Sequence, residues 1–155
     1  MKFSAFLTSA LFFLTSFNTS VLDVLRANYN KLVSDKELCE RMIDELTKTQ
    51  TNSATHLAYL GALQTIWANH IFSPISKLNT FKEGKKNIEQ AIKKEPENTE
   101  LRFIRLSIQK NTPSFLGYKS NVKEDTEFIK KNIDQIGSSI LRKNIETLLI
   151  STTGF

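Results

Sequence analysis

The two histidines are the first candidates for chemistry, because an imidazole titrates near neutral pH and also binds transition metals. His56 and His70 lie fourteen residues apart on one predicted helix. At helical rise this separation is about 21 Å, so the two rings cannot share a metal ion. Neither histidine belongs to a catalytic motif. The sequence favours hydrogen-bonded or solvated rings, and it leaves an enzyme, for example a hydrolase with a site near His56 or His70, as the alternative function.

The remaining reactive side chains also lack the surroundings that catalysis requires. Cys39 is the single cysteine, and it lies beside Leu38 and Met42 in a helical apolar pattern that is typical of a buried small hydrophobe. No serine lies in a Gly-x-Ser-x-Gly turn, and the sequence has no glycine-rich phosphate loop. We therefore predict no catalytic, cofactor-binding or metal-ligating residue.

Arg102 and Arg105 are candidates for binding rather than catalysis. They lie three residues apart, so they share one face of a predicted helix. The favoured interpretation is a pair of ordinary surface arginines that pair with acids, since such ion pairs are common and weak. The alternative is a contact for an anion or a peptide carboxylate in the groove of a helical stack.

Two groups of aromatic residues allow both a structural and a binding interpretation. Tyr59 and Trp67 lie on the most apolar segment that follows the first 20 residues, where aromatic side chains usually belong to the core. In a stack of helices they would alternatively line the concave face. The loop Phe115–Tyr118 is unusually apolar for a connection. We favour a plug that folds back over the junction of the fifth and sixth helices, with an exposed binding patch as the alternative.

Helical spacing of apolar residues and capping signals define the elements that position these side chains. Helix starts are predicted at Ser20, at Ser34 with Glu37, at Ser53, at Thr80 with Glu83, at Asn98, at Asn121 with Glu124, and at Ser138. The third helix is predicted to run to about Phe72, where Pro74 stops it. No segment alternates for long enough to form a strand. The sequence therefore predicts an all-α fold of about six to seven helices.

The composition is that of an ordinary globular domain. Charged residues make up 24% and hydrophobic residues 40% of the 155 residues, with only 5 glycines and 3 prolines. This balance argues against disorder and against a turn-rich β fold. The net charge of +5 arises from charges that alternate in sign along the predicted helices, without a basic stripe that carries interleaved aromatics. We predict one helical domain, residues 21–155, that does not bind nucleic acid.

Residues 1–20 have the pattern of a secretory signal peptide. Lys2 precedes an uncharged apolar centre, and Asn18, Thr19 and Ser20 turn the chain polar. No Ala-x-Ala site is present, and cleavage is expected near residues 19–22. This pattern predicts a periplasmic or secreted protein without stable membrane insertion. The alternatives are a membrane anchor formed by the uncleaved leader, since about 20 apolar residues span a bilayer, and a buried first helix.

Part of the chain resembles a tetratricopeptide repeat, a pair of helices that stacks on its neighbours. The residues that carry the resemblance are Tyr59, Leu60 and Gly61 for the first helix, and Phe81, Gly84, Ala91, Pro96 and Asn98 for the second helix and its exit turn. It covers residues 53–111 and implies antiparallel helix pairs in a tetratricopeptide-like stack. A second stretch, from Leu101 to Ile129, resembles a group of small exported bacterial helical proteins, which implies a compartment and no activity.

These features predict a non-enzymatic protein- or peptide-interaction module of the bacterial cell envelope. The expected partner-binding residues are Tyr59, Trp67, Arg102, Arg105, Phe115 and Tyr118. The first four would be presented by the first helix of each pair. A structural or regulatory subunit that binds through Phe115–Tyr118 is a further alternative. The sequence names no cofactor, and it leaves the partner and the oligomeric state open.

Overall fold

Seven α-helices and four short 3-10 turns occur in the computed structural model, which describes residues 20–49 and 51–151. The helices are α1 (Val21–Asn28), α2 (Lys36–Lys48), α3 (Ala54–Trp67), α4 (Pro74–Lys94), α5 (Thr99–Asn111), α6 (Val122–Asn132) and α7 (Ser139–Ile150). The 3-10 turns are Tyr29–Lys31, Ala68–His70, Ser114–Leu116 and Ile133–Gln135. No strand occurs in these residues, so the predicted all-α class is confirmed for them. The predicted leader lies outside them except for Ser20.

Five helices begin where the capping signals predict, and a side chain caps four of them. The side chains of Ser20, Ser53 and Ser138 each accept a hydrogen bond from the main-chain N–H three residues on. The side chain of Asn98 accepts one from the N–H two residues on. These bonds satisfy N–H groups that the first turn of a helix leaves without a partner. The predicted starts of α1, α3, α5 and α7 are therefore confirmed, and α6 also begins directly after the predicted Asn121, whose side chain makes no capping bond.

The boundary between α3 and α4 differs from the prediction. Helix α3 ends at Trp67, before the expected Phe72, and α4 begins at Pro74 instead of Thr80. Proline suits the first helical position, because its ring fixes a helical φ and its missing N–H would have no partner there. The side chain of Ser73 caps this helix. Pro74 therefore starts α4, whereas the prediction used it only to stop α3.

Helices α3 and α4 form an antiparallel pair whose main chains meet at two glycines. A Cβ atom on Gly61 would meet Ile88, and one on Gly84 would meet Thr65, so the two helices run in opposite directions. Each added Cβ would also lie 2.5 Å from the main-chain oxygen of the other glycine. This approach leaves no room for a side chain, and glycine is the residue that permits it.

Helix α5 is the most enclosed element of the bundle. Nine of its thirteen residues are buried, among them the charged Glu100 and Arg105. It packs against α3, α4, α6 and α7. Leu25 from α1 and Ile145 from α7 are fully buried in the same apolar core. Because burial of apolar surface is the main favourable term in folding, this shared core joins α1 and α7 to the rest of the bundle.

Candidate functional site

A cleft of about 780 Å³ opens where the last turns of α3 and α5 meet the first turns of α4. The 3-10 turns after α1, α3 and α5, together with the last turn of α7, complete its walls. The buried side chains of Ile66, Phe81, Phe103 and Ile108 are part of the lining. Its volume falls in the range of ligand sites in proteins, about 300–1,000 Å³. The cleft is therefore the candidate site of this molecule.

Large apolar side chains are exposed around this cleft. Val33, Leu78 and Phe115 line it, and Phe115 is 85% exposed. Phe72 and Ile75 lie within two residues of the first residue of α4, which also lines the cleft, and Phe72 is fully exposed. We call this set the apolar rim: Val33, Phe72, Ile75, Leu78 and Phe115. Apolar side chains gathered in this way mark interaction surfaces, because soluble monomers rarely expose large apolar patches.

The polar groups of the cleft are almost all uncharged amides and hydroxyls. Lys77 is the single charged side chain among the described residues that line it. The hydroxyls of Tyr29 and Ser107 form a hydrogen bond with each other. Burial raises the pKa of Tyr29 to about 12, so this phenol stays neutral at physiological pH. The described lining thus contains no carboxylate, imidazole or thiol for acid–base or nucleophilic catalysis.

The two candidate arginines lie outside the cleft and have acid partners within the chain. Arg105 is buried, and its Nε and Nη2 donate to the two carboxylate oxygens of Asp125 at 2.7 Å each. Its Nη1 donates to Oε2 of Glu89 at 3.0 Å. Arg102 donates from Nη1 to Asp125 at 3.0 Å and to Glu124 at 2.9 Å. Both guanidinium groups therefore join α5 to α6, and neither is a free cation at the surface.

Tyr59 and Trp67 also lie outside the cleft. Tyr59 is completely buried and donates its hydroxyl hydrogen to Oε1 of Glu100 at 2.8 Å. Arg26 donates to both oxygens of the same carboxylate at 2.8 Å. Trp67 is partly buried, with the Lys36 ammonium 5.4 Å from its ring centroid. In this conformation Tyr59 joins α3 to α5 and has no exposed surface to present to a partner.

In the apolar loop after α5, one aromatic side chain is buried and the other is exposed. Tyr118 is 2% exposed, packs edge-on against Phe81 and donates its hydroxyl hydrogen to Glu89 at 2.7 Å. Phe115 instead projects at the mouth of the cleft with 85% exposure. Gly117 between them has a φ of 62°, the left-handed conformation that glycine adopts without strain. The burial that a plug requires is therefore found for Tyr118, although its partners Phe81 and Glu89 belong to α4, and it is absent for Phe115, for which the prediction of a plug is wrong.

The histidines and the cysteine offer no reactive group beside the cleft. Nδ1 of His56 and Nε2 of His70 are buried without a hydrogen-bond partner among the described residues, and neither residue lines the cleft. Burial, with the positive charge of Arg26 nearby, lowers the pKa of His56. Burial also raises the pKa of the Cys39 thiol to about 12, which disfavours the reactive thiolate. No three metal-ligating side chains are grouped within residues 20–49 and 51–151.

Of the six predicted partner-binding residues, only Phe115 lines the cleft. The sequence analysis does not identify Leu78 or the exposed Phe72 and Ile75 as binding residues. Residues 73–79 fall between the predicted third and fourth helices, because the prediction treats Pro74 only as a helix end. The signal was the apolar spacing of Ile75, Leu78 and Phe81 on the helix that Pro74 begins.

Comparison of the chain with family models, curated proteins and solved structures finds no match. Across the part of the chain that the structure describes, no helix is both long enough and apolar enough to cross a membrane. Function resides in sites and not in the fold class, and the cleft is the site that the described residues form.

Proposed function

We propose that this protein is a non-enzymatic interaction module that binds an apolar segment of a peptide or protein partner in the cleft. The observation that carries the proposal is that three exposed apolar side chains of the rim, Val33, Leu78 and Phe115, line the cleft. Burial of apolar surface is the dominant driving force in most protein associations. The described lining is uncharged apart from Lys77 and contains no carboxylate, imidazole or thiol, which supports binding over the alternative of a hydrolase near His56 or His70.

The arrangement favours a macromolecular partner over a small ligand. A small molecule held inside 780 Å³ would leave the fully exposed Phe72 and its neighbour Ile75 in contact with water. A polypeptide segment that fills the cleft and continues along the rim would cover both. Large apolar side chains that fill such a groove are the usual anchors of peptide recognition.

The proposal places this module in the cell envelope, in a tetratricopeptide-like stack. The antiparallel α3–α4 pair, with its contact between Gly61 and Gly84, and the exit from α4 at Pro96 support the stacking.

Residues 1–20 act as the signal peptide that exports the chain to the periplasm or beyond the cell. Intact-mass measurement on protein from envelope fractions tests export, with a mature start expected near residues 19–22. A mass that retains Lys2 would instead support the uncleaved anchor.

Selection of a displayed random-peptide library on the immobilised protein tests the binding function. We expect enriched peptides that carry two or more large apolar residues. Their affinity should fall at least tenfold, or about 1.4 kcal/mol, in Leu78→Glu and in Phe115→Glu, which place a charge at the rim. Ile140→Glu is the matched control, because Ile140 is an exposed apolar residue (44%) that does not line the cleft. A library without enriched peptides, or equal losses in all three variants, would contradict the proposal.

A further inference from the structure

Four asparagines line the cleft: Asn30, Asn69, Asn111 and Asn144. We infer that they bind the main chain of a peptide that lies in the cleft in an extended conformation. This inference rests on the proposed function and adds the conformation and the chemical groups by which the partner is recognised. We call these four residues the amide set.

The polar chemistry of the lining fits a peptide main chain better than a charged ligand. Apart from Lys77, the described lining residues carry no charge, so a charged ligand would find little compensation in the cleft. An asparagine side chain offers a carbonyl acceptor and two N–H donors on one planar group. A peptide unit offers the complementary pair, one N–H and one C=O, whatever its side chain. The amide set therefore matches a neutral chain that carries both donors and acceptors.

The amide set is distributed over four separate elements. Asn30 and Asn69 lie in the 3-10 turns after α1 and α3, whereas Asn111 and Asn144 lie in α5 and α7. They consequently contribute to different walls of the cleft, which is what a ligand of some length requires. A single polar head group would need them at one point.

Two members of the set are held in place and two are free to pair. Nδ2 of Asn111 donates to the main-chain oxygen of Ser107 at 2.8 Å, and Nδ2 of Asn144 donates to that of Arg26 at 2.7 Å. These bonds use one N–H of each amide and leave its carbonyl oxygen as an acceptor. The exposed side chains of Asn30 and Asn69 make no hydrogen bond within the described residues. The set thus supplies both fixed acceptors and free donors.

An extended partner can use the amide set, whereas a helical partner cannot. The N–H and C=O groups of a helix already pair with each other, so a bound helix would leave the amides without main-chain partners. In an extended chain those groups are free, and successive side chains point to opposite sides. One row of side chains can then enter the cleft while the main chain pairs with the amide set.

The test uses the tightest peptide from the library selection, synthesised with blocked ends and a fluorescent label. Its affinity is measured by fluorescence anisotropy for Asn30→Ala and Asn69→Ala. We expect each substitution to weaken binding about tenfold, which corresponds to about 1.4 kcal/mol. Thermal stability should not change, because neither side chain is bonded within the described chain. Asn79→Ala is the control, because Asn79 is an exposed asparagine of α4 that does not line the cleft.

A second peptide separates the two partner conformations. Replacement of two of its non-anchor residues by α-aminoisobutyrate, which holds a peptide helical, should reduce binding at least tenfold. Unchanged affinity of both asparagine variants, or tighter binding of the helical peptide, would overturn the extended main-chain mode. If Leu78→Glu and Phe115→Glu still weakened binding at least tenfold in that case, the proposed function would stand without the extended main-chain mode. If the selection yielded no binding peptide at all, both conclusions would fail together.

Discussion

At the scale of single residues, the adjacent acids Glu124 and Asp125 differ in burial and in their contribution to the structure. Glu124 and Asp125 both lie in the first turn of α6, where negative charge compensates the helix dipole, and the sequence gives them that shared explanation. In the structure Asp125 is fully buried and accepts three hydrogen bonds from Arg102 and Arg105. The spacing of Asp125 and the buried Ile129 on one helical face was the available signal, but the partners come from another helix.

Asp125→Ala should destabilise the protein by about 3–5 kcal/mol, the usual consequence of removing one partner from a buried ion pair. The reason is that the Arg105 guanidinium would remain buried without its main acceptor. Urea denaturation followed by circular dichroism measures this change. Glu124→Ala is the matched control, since Glu124 is exposed and its ion pair should contribute less than about 1 kcal/mol. Equal losses of unfolding free energy in the two variants would show that the buried ion pair contributes no more to stability than the exposed one.

Phe115 and Tyr118 should respond in opposite ways to truncation. Phe115→Ala should change the free energy of unfolding by no more than about 0.5 kcal/mol, as surface substitutions usually do, while weakening capture of the selected peptide. Tyr118→Ala should cost about 3 kcal/mol or more, the usual scale for a buried aromatic residue. Thermal melts and peptide titrations on both variants check this. A large loss of stability in Phe115→Ala would instead support the interpretation that Phe115 is part of a buried plug.

At the scale of elements, the sequence predicts the helices well and their contacts poorly. Local capping chemistry is written in neighbouring residues, which is why Ser53 and Asn98 were identified correctly. The prediction of a helix start fails where two neighbouring residues can both act as the cap. Asp35 caps α2 in place of the adjacent Ser34, which the sequence predicts as the start. The cleft could not be predicted, because its walls come from residues far apart in the chain. No local pattern shows which apolar side chains the packing leaves exposed.

The contact between α3 and α4 reverses the usual effect of a glycine substitution. Alanine normally stabilises a helix by about 1 kcal/mol relative to glycine. Gly84→Ala should instead destabilise by about 1–3 kcal/mol, because its Cβ would lie 2.5 Å from the Gly61 oxygen. Gly137→Ala is the control, since its added Cβ would meet no residue beyond its two chain neighbours within 4 Å and its φ is not positive. Chemical denaturation of both variants measures their free energies of unfolding. A stabilised Gly84→Ala would show that α3 and α4 can move apart to admit the methyl group without loss of stability.

At the scale of the whole molecule, all 3 tyrosines of the chain are buried and their pKa values are raised. Burial is the largest cause in each case, and the neighbouring carboxylates Glu89 and Glu100 act in the same direction on Tyr118 and Tyr59. The pKa of Tyr29 reaches about 12. The folded state therefore holds these protons more tightly than the unfolded chain, in which tyrosine titrates near pH 10.

Linkage then predicts a loss of stability at alkaline pH. The contribution of the tyrosines is fully present below about pH 10, where tyrosine is protonated in both states. It falls as the pH rises from about 10 towards 12, since the unfolded chain loses its protons first. Melting temperatures across this range, together with tyrosinate absorbance, provide the measurement. We expect tyrosinate to form only as the helical signal disappears, and a normal titration of one tyrosine in folded protein would contradict the burial.

The antiparallel α3–α4 pair also has a kinetic consequence. Its crossing joins two neighbouring helices, whereas the Asn144 amide of α7 contacts the Arg26 oxygen of α1 across 118 residues. Closing a short loop loses less chain entropy than closing a long one, and local contacts form sooner. We expect the α3–α4 pair to be structured in the folding transition state and the α1–α7 contact to form after it. In stopped-flow experiments Ile88→Val should slow refolding, whereas Asn144→Ala should mainly accelerate unfolding.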